Sequence, residues 1–151
     1  MEKVAIVTGT SSGIGYETAL ALARDGFYTF ATVRDAKKAD KILQVAKKEK
    51  LNIESIELDV DDEKSISAAI EKIISKKQRI DVIVNNAGWG LFGSVEDVSL
   101  KDFRAQFETN FFGIISIIQK VAPIMRKQGS GVIVNVSSVA GRIGFPGSPA
   151  Y

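Results

Sequence analysis

The amino-acid sequence predicts an α/β fold in which helices cover both faces of a doubly wound parallel sheet. Five short apolar runs alternate with segments of helical apolar spacing. A glycine-rich turn joins the first run to the first such segment, and polar or glycine-rich residues follow each run. Strands connected through helices pair in parallel by right-handed crossovers. We therefore expect a single domain over residues 1–151 with the strand order 3-2-1-4-5.

The composition is that of a globular domain without thiol or imidazole chemistry. Of the 151 residues, 45% are apolar and 25% are charged, which suffices for a hydrophobic core. The absence of cysteine and histidine excludes disulfides, thiolate catalysis and the usual metal ligands, so we expect no metal site. Acid–base chemistry at neutral pH must use another side chain.

The charge pattern argues against nucleic-acid and membrane partners. The formal net charge is +2, and lysines occur in short groups such as Lys37-Lys38 and Lys76-Lys77, as on solvated helix faces. No signal-peptide core precedes the first strand, and no apolar run approaches the roughly 18 residues of a membrane helix. We therefore expect a cytoplasmic protein.

The first strand is predicted at Val4–Val7, and the turn after it spans residues 8–15. A helix follows from about Gly13 to Asp25 and ends at Gly26, a residue typical of helix C-termini. Helix N-termini bind anions because their N–H groups lack partners and lie at the positive end of the dipole. The apolar spacing predicts a buried helix face made of Ile14, Thr18, Ala21 and Leu22.

The three glycines of this turn have separate roles in an anion site. Gly9 permits the sharp turn out of the strand, Gly13 removes a Cβ beside a phosphate, and Gly15 lets the helix pack near the sheet. The spacing differs from the G-x-G-x-x-G dinucleotide fingerprint, and the absence of G-K-[ST] excludes the lysine-bearing P-loop. On its own, the turn could also be a plain connection between strand and helix.

The same periodicities predict the next elements. A strand at 28–33 leads to an amphipathic helix at 39–50, and a third strand is predicted at 53–60. Because Glu54 and Glu57 are unusual in a strand buried on both faces, we place this strand at an edge of the sheet.

The rest of the chain continues the alternation. A long helix begins at Ser99, which forms a capping box with Asp102, and Pro123 predicts a kink in it. The elements in order are a helix at 66–74 capped by Asp61 or Asp62, a strand at 81–84, a loop at 85–97, the long helix at 99–127 and a strand at 132–136.

Polar residues collect at one rim of the predicted sheet. In a doubly wound sheet, ligands bind beyond the carboxyl ends of the strands, where the strand order reverses. The residues that follow the five strands are Thr8 to Gly15, Arg34 and Asp35, Asp59 and Val60, Asn85 to Gly88, and Ser137 and Ser138.

These motifs together resemble the short-chain dehydrogenase/reductase family. The resemblance covers the whole chain and rests on Thr-Gly-x-x-x-Gly-Ile-Gly at 8–15, Asn-Asn-Ala-Gly at 85–88, Asn110, the Ser137-Ser138 pair and Tyr151. It implies a Rossmann-type fold. The extended subtype, which includes sugar epimerases, spaces its glycines T-G-x-x-G-x-x-G, and this chain does not.

The resemblance implies hydride transfer between a nicotinamide ring and a carbonyl or secondary alcohol. Tyr151 matches the tyrosine that exchanges the proton, Ser138 the serine that hydrogen-bonds the substrate oxygen, and Asn110 the residue that helps hold a proton-relay water. The family lysine four residues after the tyrosine is not in the sequence, so we expect the N-terminal part of a longer chain with a sixth strand beside the fifth.

Ser138 and Asn110 also have a purely structural interpretation. A serine after a strand commonly caps a turn, and an asparagine in an apolar helix often satisfies backbone groups. Likewise, the Asn-Asn-Ala-Gly loop could be a plain turn, and Asp59 could simply cap a helix.

The resemblance also implies a cofactor, and Arg34 indicates which one. An arginine after strand 2 pairs with the 2′-phosphate of NADP, whereas an acid there binds the ribose hydroxyl of NAD. An inward-turned Asp35 would favour NAD instead. The expected cofactor residues are Gly9, Ser11, Ser12, Gly13, Ile14, Gly15, Arg34, Asp59, Val60, Asn86, Ala87 and Gly88.

The expected function is that of an NADP-dependent oxidoreductase acting on an apolar carbonyl or alcohol as a homodimer or homotetramer. Trp89, Leu91, Phe92 and residues 139–149 could line an apolar pocket or pack in the core. The alternative is a regulatory domain that binds NAD or NADP and senses their redox state without turnover.

Overall fold

The computed structural model describes residues 2–150. They form a five-stranded, fully parallel sheet with helices on both faces. The strand order is β3-β2-β1-β4-β5, as predicted. The strands are β1 (Val4–Val7), β2 (Tyr28–Val33), β3 (Ile53–Glu57), β4 (Val82–Asn85) and β5 (Val132–Asn135).

The helices largely follow the predicted bounds, but the long last helix is interrupted. A π turn at Glu108–Phe112 separates two α-helical parts, and the helix continues without a break through Pro123. Ser99 caps the first part through an N–H···O bond of 3.1 Å from Asp102. The α-helices are α1 (Gly13–Arg24), α2 (Asp40–Glu49), α3 (Glu63–Lys77), α4 (Leu100–Phe107) and α5 (Gly113–Gln128), with 3₁₀ turns at Ala36–Ala39 and Val139–Gly141.

The core consists of two apolar layers, one on each face of the sheet. One face of the central strands packs against α3 and α5, and the other packs against α1 and α2. Ile6, Phe30 and Ile83 belong to the first layer, whereas Val7 and Ala31 belong to the second. The alternation follows from the period of two in a strand.

The predicted buried face of α1 is wrong. Ile14 is 67% exposed, while the residues that face the sheet are Tyr16, Ala19, Leu20 and Ala23. This set has the same i, i+3, i+4, i+7 spacing as an amphipathic helix. The helix carries two apolar stripes that spacing alone does not distinguish, and Leu22 of the predicted set is half-buried against the second layer.

The third strand lies at an edge, as its glutamates predict, but it ends at Glu57 rather than at residue 60. Its half-buried Glu54 accepts a hydrogen bond of 2.8 Å from the Tyr28 hydroxyl and pairs with Lys76. Although burial opposes ionisation, these contacts hold the pKa of Glu54 below its usual range. The charge of Glu54 at this edge is therefore paired.

The opposite edge is apolar and open in the described part of the chain. Val132 is 54% exposed and Val134 41% exposed on β5, which within residues 2–150 pairs with β4 alone. An uncharged open edge favours pairing with a further strand.

None of the helices within residues 2–150 combines the length and apolarity needed to span a bilayer.

Asp81 links the start of the sheet to β4, and we expect its removal to destabilise the fold. Its carboxylate accepts hydrogen bonds from the Val4 N–H at 2.8 Å and from Arg79 at 2.8 and 2.5 Å. These bonds, led by Arg79, lower the pKa of Asp81. Asp81→Ala should reduce the free energy of unfolding by about 2 kcal/mol at pH 7, because charged hydrogen bonds are lost.

The effect of Asp81→Ala should depend on pH. The folded chain binds this proton less readily than the unfolded chain, so the stabilisation is present above the ordinary aspartate pKa of about 3.9 and disappears as pH falls through the lower folded value. Urea titrations between pH 7 and pH 2 should show the difference shrinking. Glu49→Ala, which breaks an exposed ion pair with Arg24, serves as the control with little expected effect. Equal losses in both variants would contradict the prediction.

Candidate active site

An open cleft of about 1060 Å³ lies at the carboxyl ends of the strands. Residues that follow all five strands line it, together with residues of α4, the π turn and α5. The cleft thus brings together residues from each part of the predicted rim, although Gly13, Gly15 and Asp59 do not belong to its lining. Its charged lining residues, among those that the structure describes, are Arg34, Lys38 and Asp61.

Two glycines let the first turn touch the loop after β4. A Cβ on Gly9 would lie 2.9 Å from the Cα of Ala87, and one on Gly15 would lie 2.3 Å from Nδ2 of Asn86. Both distances are shorter than atoms can approach. Gly15 therefore makes room for the Asn86 loop rather than for the sheet as a whole, while Gly13 faces open space at φ +63°.

Thr8 holds this loop in place. Its Oγ1 accepts hydrogen bonds of 2.9 Å from the N–H groups of both Asn86 and Ala87. The Asn86 side chain donates in return to the carbonyls of Thr8 at 2.9 Å and Gly9 at 3.3 Å. The backbone of residues 86–88 is thereby fixed against the glycine turn.

The helical run after Ser99 fixes the next part of the loop. Asn110 accepts from the N–H of Trp89 at 3.0 Å and donates to its carbonyl at 2.8 Å. The Trp89 indole donates to Thr109 at 3.1 Å, and Thr109 donates to Asp61 at 2.9 Å. Gln106 accepts from the N–H of Leu91 at 3.1 Å.

The π turn brings these polar residues to the cleft and was not predicted. It is followed by Gly113, the first residue of α5, where a Cβ would lie 2.6 Å from the carbonyl of Val60, so the start of α5 presses against the segment after β3. Single π turns within α-helices are frequently found at functional sites. The signal in the sequence was the polar set Gln106, Thr109 and Asn110 at helical spacing.

Ser138 lies at the opposite side of the cleft from Arg34. Its hydroxyl oxygen caps the 3₁₀ turn by accepting from the N–H of Ala140 at 3.1 Å, which leaves the hydroxyl proton free to be donated. Nearby, Asn85 donates to Asn135 at 2.8 Å, joining the ends of β4 and β5. Tyr151 lies outside the described residues.

The end of β2 presents cations to the cleft. Arg34 lines it, whereas the Asp35 carboxylate accepts from the N–H of Lys37 at 3.0 Å and caps the 3₁₀ turn. Lys38 also lines the cleft, although the sequence did not single it out.

The end of β3 contributes an apolar wall and a local cap. Val60 is buried and lines the cleft. The Asp59 carboxylate accepts from the N–H of Asp61 at 3.1 Å, and Asp62 caps α3.

Exposed apolar side chains occur on the loops after β4 and β5. Trp89 lines the cleft and is 38% exposed, whereas Phe92, Ile143 and Phe145 are exposed outside the cleft lining rather than packed in the core. The N–H of Gly93 donates to the carbonyl of Gly147 at 2.9 Å and joins the loop after β4 to that after β5.

Comparison with known proteins gives consistent matches over the whole chain. A family model described as short chain dehydrogenase matches residues 3–151. An uncharacterized oxidoreductase of Bacillus subtilis, YusZ, is 44% identical over 152 residues, covering 99% of this chain and 54% of that protein.

Solved structures also match nearly the whole chain. A short-chain dehydrogenase from Streptomyces avermitilis has a TM-score of 0.93 at 34% identity, covering 100% of this chain and 54% of that one. A metagenomic short-chain oxidoreductase in complex with NADP has a TM-score of 0.93 at 31% identity, covering 99% and 67%. The chain spans about half the length of the curated relatives it matches.

Proposed function

The chain belongs to the short-chain dehydrogenase family, and we propose on this basis that the whole protein is an NADP-dependent oxidoreductase. It would pass hydride between the nicotinamide and the carbon of a carbonyl or secondary alcohol. The observation that carries the proposal is the single cleft in which the glycine turn, the loop at 86–88, Asn110 and Ser138 meet.

The residues of the cleft fit a dinucleotide. Gly9 and Gly15 let the turn pack against the loop at 86–88, Gly13 faces open space, and the N-terminus of α1 offers N–H groups to the pyrophosphate. We assign the pyrophosphate to the turn from Gly9 to Gly15, including Ser11, Ser12, Gly13 and Ile14. The adenosine would lie along Asp59, Val60 and the loop Asn86, Ala87 and Gly88. Bound cofactor would supply or accept the hydride.

The end of β2 supports NADP over NAD. Arg34 lines the cleft, and Val33, one position earlier, is buried and apolar. The rival acid Asp35 is engaged as a cap on the N–H of Lys37. An arginine at this place pairs with a 2′-phosphate, and a solved relative holds NADP.

We assign the exchange of the substrate proton to Tyr151 and the hydrogen bond to the substrate oxygen to Ser138. A free phenol has a pKa near 10, so acting near neutral pH requires about 4 kcal/mol of differential stabilisation from cationic neighbours. Ser138 would donate its free proton to the substrate oxygen. Asn110 would hold the loop at Trp89 and, in the family pattern, a proton-relay water.

The substrate and the assembly follow from exposed apolar surface. Trp89 in the cleft lining, with the exposed Phe92, Ile143 and Phe145 on the loops after β4 and β5, supports a carbonyl or alcohol with an apolar substituent. Phe107 and Phe112 are exposed along α4 and the π turn, which supports a homodimer or homotetramer through these helices. We also propose a cytoplasmic location and a further strand over β5.

The function is tested by turnover of the whole protein. Purified protein should oxidise NADPH in the presence of at least one apolar ketone or aldehyde, as followed by the absorbance of the reduced nicotinamide. Tight NADP binding with no turnover across a broad carbonyl panel would instead favour the redox-sensing domain, which the comparisons do not favour.

The cofactor choice is tested at Arg34. Arg34→Asp should weaken NADP binding by about 10- to 100-fold, because charge-assisted hydrogen bonds to the 2′-phosphate are lost, while NAD binding changes little. Calorimetric titration with both cofactors gives the two affinities. Arg126→Asp, which makes the same charge change outside the cleft, is the control. Tighter binding of NAD than NADP by the unmodified protein would refute the assignment.

A further inference from the structure

The 3₁₀ turn after β2 directs only one of its two lysines to the cleft. The turn covers Ala36–Ala39 and carries Lys37 and Lys38 side by side. Both are exposed, but Lys38 lines the cleft together with Arg34, Ser11 and Ser12, and Lys37 does not. The two lysines carry the same charge and differ in whether the side chain points to the cleft.

Backbone contacts hold this turn in one orientation. The Asp35 carboxylate accepts from the N–H of Lys37 at 3.0 Å, and the Asp35 carbonyl accepts from the N–H of Lys38 at 2.9 Å. Ala39 is 1% exposed and anchors the end of the turn in the core. The position of the Lys38 backbone is therefore set by the fold, and only its side chain remains free to move.

The surroundings of Lys38 favour a multiply charged anion. The N–H and Oγ1 of Thr10 both donate to the carbonyl of Thr32 at 3.0 Å, which brings Ser11 next to the end of β2 and Arg34. The acidic lining residue Asp61 follows β3 and is engaged by Thr109. Two cations and two hydroxyls thus share the β2 side of the cleft.

We propose that Lys38 is a second cation for the 2′-phosphate of NADP, acting beside Arg34. The inference rests on the proposed function as an NADP-dependent oxidoreductase. A phosphate monoester carries about −1.5 to −2 charges near pH 7, so one guanidinium leaves part of its charge uncompensated. A lysine ammonium adds a compact charge with three donors, which suits the remaining phosphate oxygens.

The test compares Lys38→Met with Lys37→Met in the whole protein. Calorimetry would give the dissociation constants of NADP and NAD, and of 2′,5′-ADP and ADP, which isolate the contribution of the 2′-phosphate. We expect Lys38→Met to weaken NADP and 2′,5′-ADP by about fivefold to tenfold and to leave NAD and ADP within about twofold. Lys37→Met should leave all four unchanged, and Lys38→Arg should restore binding.

Each other outcome overturns the inference. Equal weakening in Lys37→Met and Lys38→Met would mean that only the general positive field matters. Equal weakening of NAD and NADP in Lys38→Met would place the lysine elsewhere on the cofactor, and no weakening would remove it from the site. A preference of the unmodified protein for NAD would instead refute the proposed cofactor. Thermal melting of each variant separates these results from unfolding.

Discussion

Tyr151→Phe should lower the turnover of the whole protein by about 10²- to 10⁴-fold, the range that positioned general acids contribute. The substitution removes one oxygen and leaves the ring, so the proton donor is lost while packing is nearly preserved. Steady-state rates of NADPH oxidation with a carbonyl substrate measure the effect. Cofactor affinity should stay within about twofold, because no cofactor contact is assigned to the hydroxyl.

Tyr16→Phe is the matched control, because Tyr16 is buried in α1 against the sheet and lies outside the cleft lining. Its turnover should equal that of the unmodified protein. Near-normal turnover in Tyr151→Phe would remove this tyrosine from the mechanism, whereas a parallel loss in both variants would point to stability rather than chemistry.

Gly15→Ala should lower the free energy of unfolding by about 3 kcal/mol, which is the opposite of the usual effect of alanine in a helix. Alanine is normally favoured over glycine there by about 1 kcal/mol. Here the new Cβ would lie 2.3 Å from Nδ2 of Asn86 and 2.5 Å from the carbonyl oxygen of Gly9. Overpacking and two lost hydrogen bonds together account for about this cost.

The same substitution should weaken NADP binding by roughly a hundredfold, since a change of about 2.7 kcal/mol corresponds to that factor and the displaced loop is assigned to the cofactor. Chemical denaturation and calorimetry measure the two effects. Gly144→Ala is the control, because a Cβ there meets nothing within 4 Å. A Gly15→Ala protein as stable as the original would show that the loop yields at no cost.

The strand order and the location of the site could be predicted from local patterns. Apolar runs bounded by turn residues define strands, and Glu54 and Glu57 mark β3 as an edge without reference to the rest of the chain. The polar residues after each strand had to converge because the carboxyl ends of parallel strands share one rim.

What could not be predicted depends on rotations and on distant partners. The buried face of α1 could not be read from the apolar spacing, since both of its stripes have helical spacing. The π turn needs the contact of Gly113 with Val60, and the orientation of Asn110 needs the backbone of Trp89. The sequence does not tell whether Lys37 or Lys38 faces the cleft, because the two residues are identical and the orientation of their turn involves the bond that the Lys37 N–H donates to the Asp35 carboxylate.

The hydrogen bond between Gly93 and Gly147 joins the loops after β4 and β5 without involving any side chain. It is a bond between backbone atoms, so exchanging the neighbouring Phe92, Ile143 or Phe145 leaves its donor and acceptor in place. These side chains are exposed and contribute little to the core. Random libraries restricted to the three positions should therefore remain folded, and natural selection could have altered the accepted compound here without rebuilding the nucleotide side.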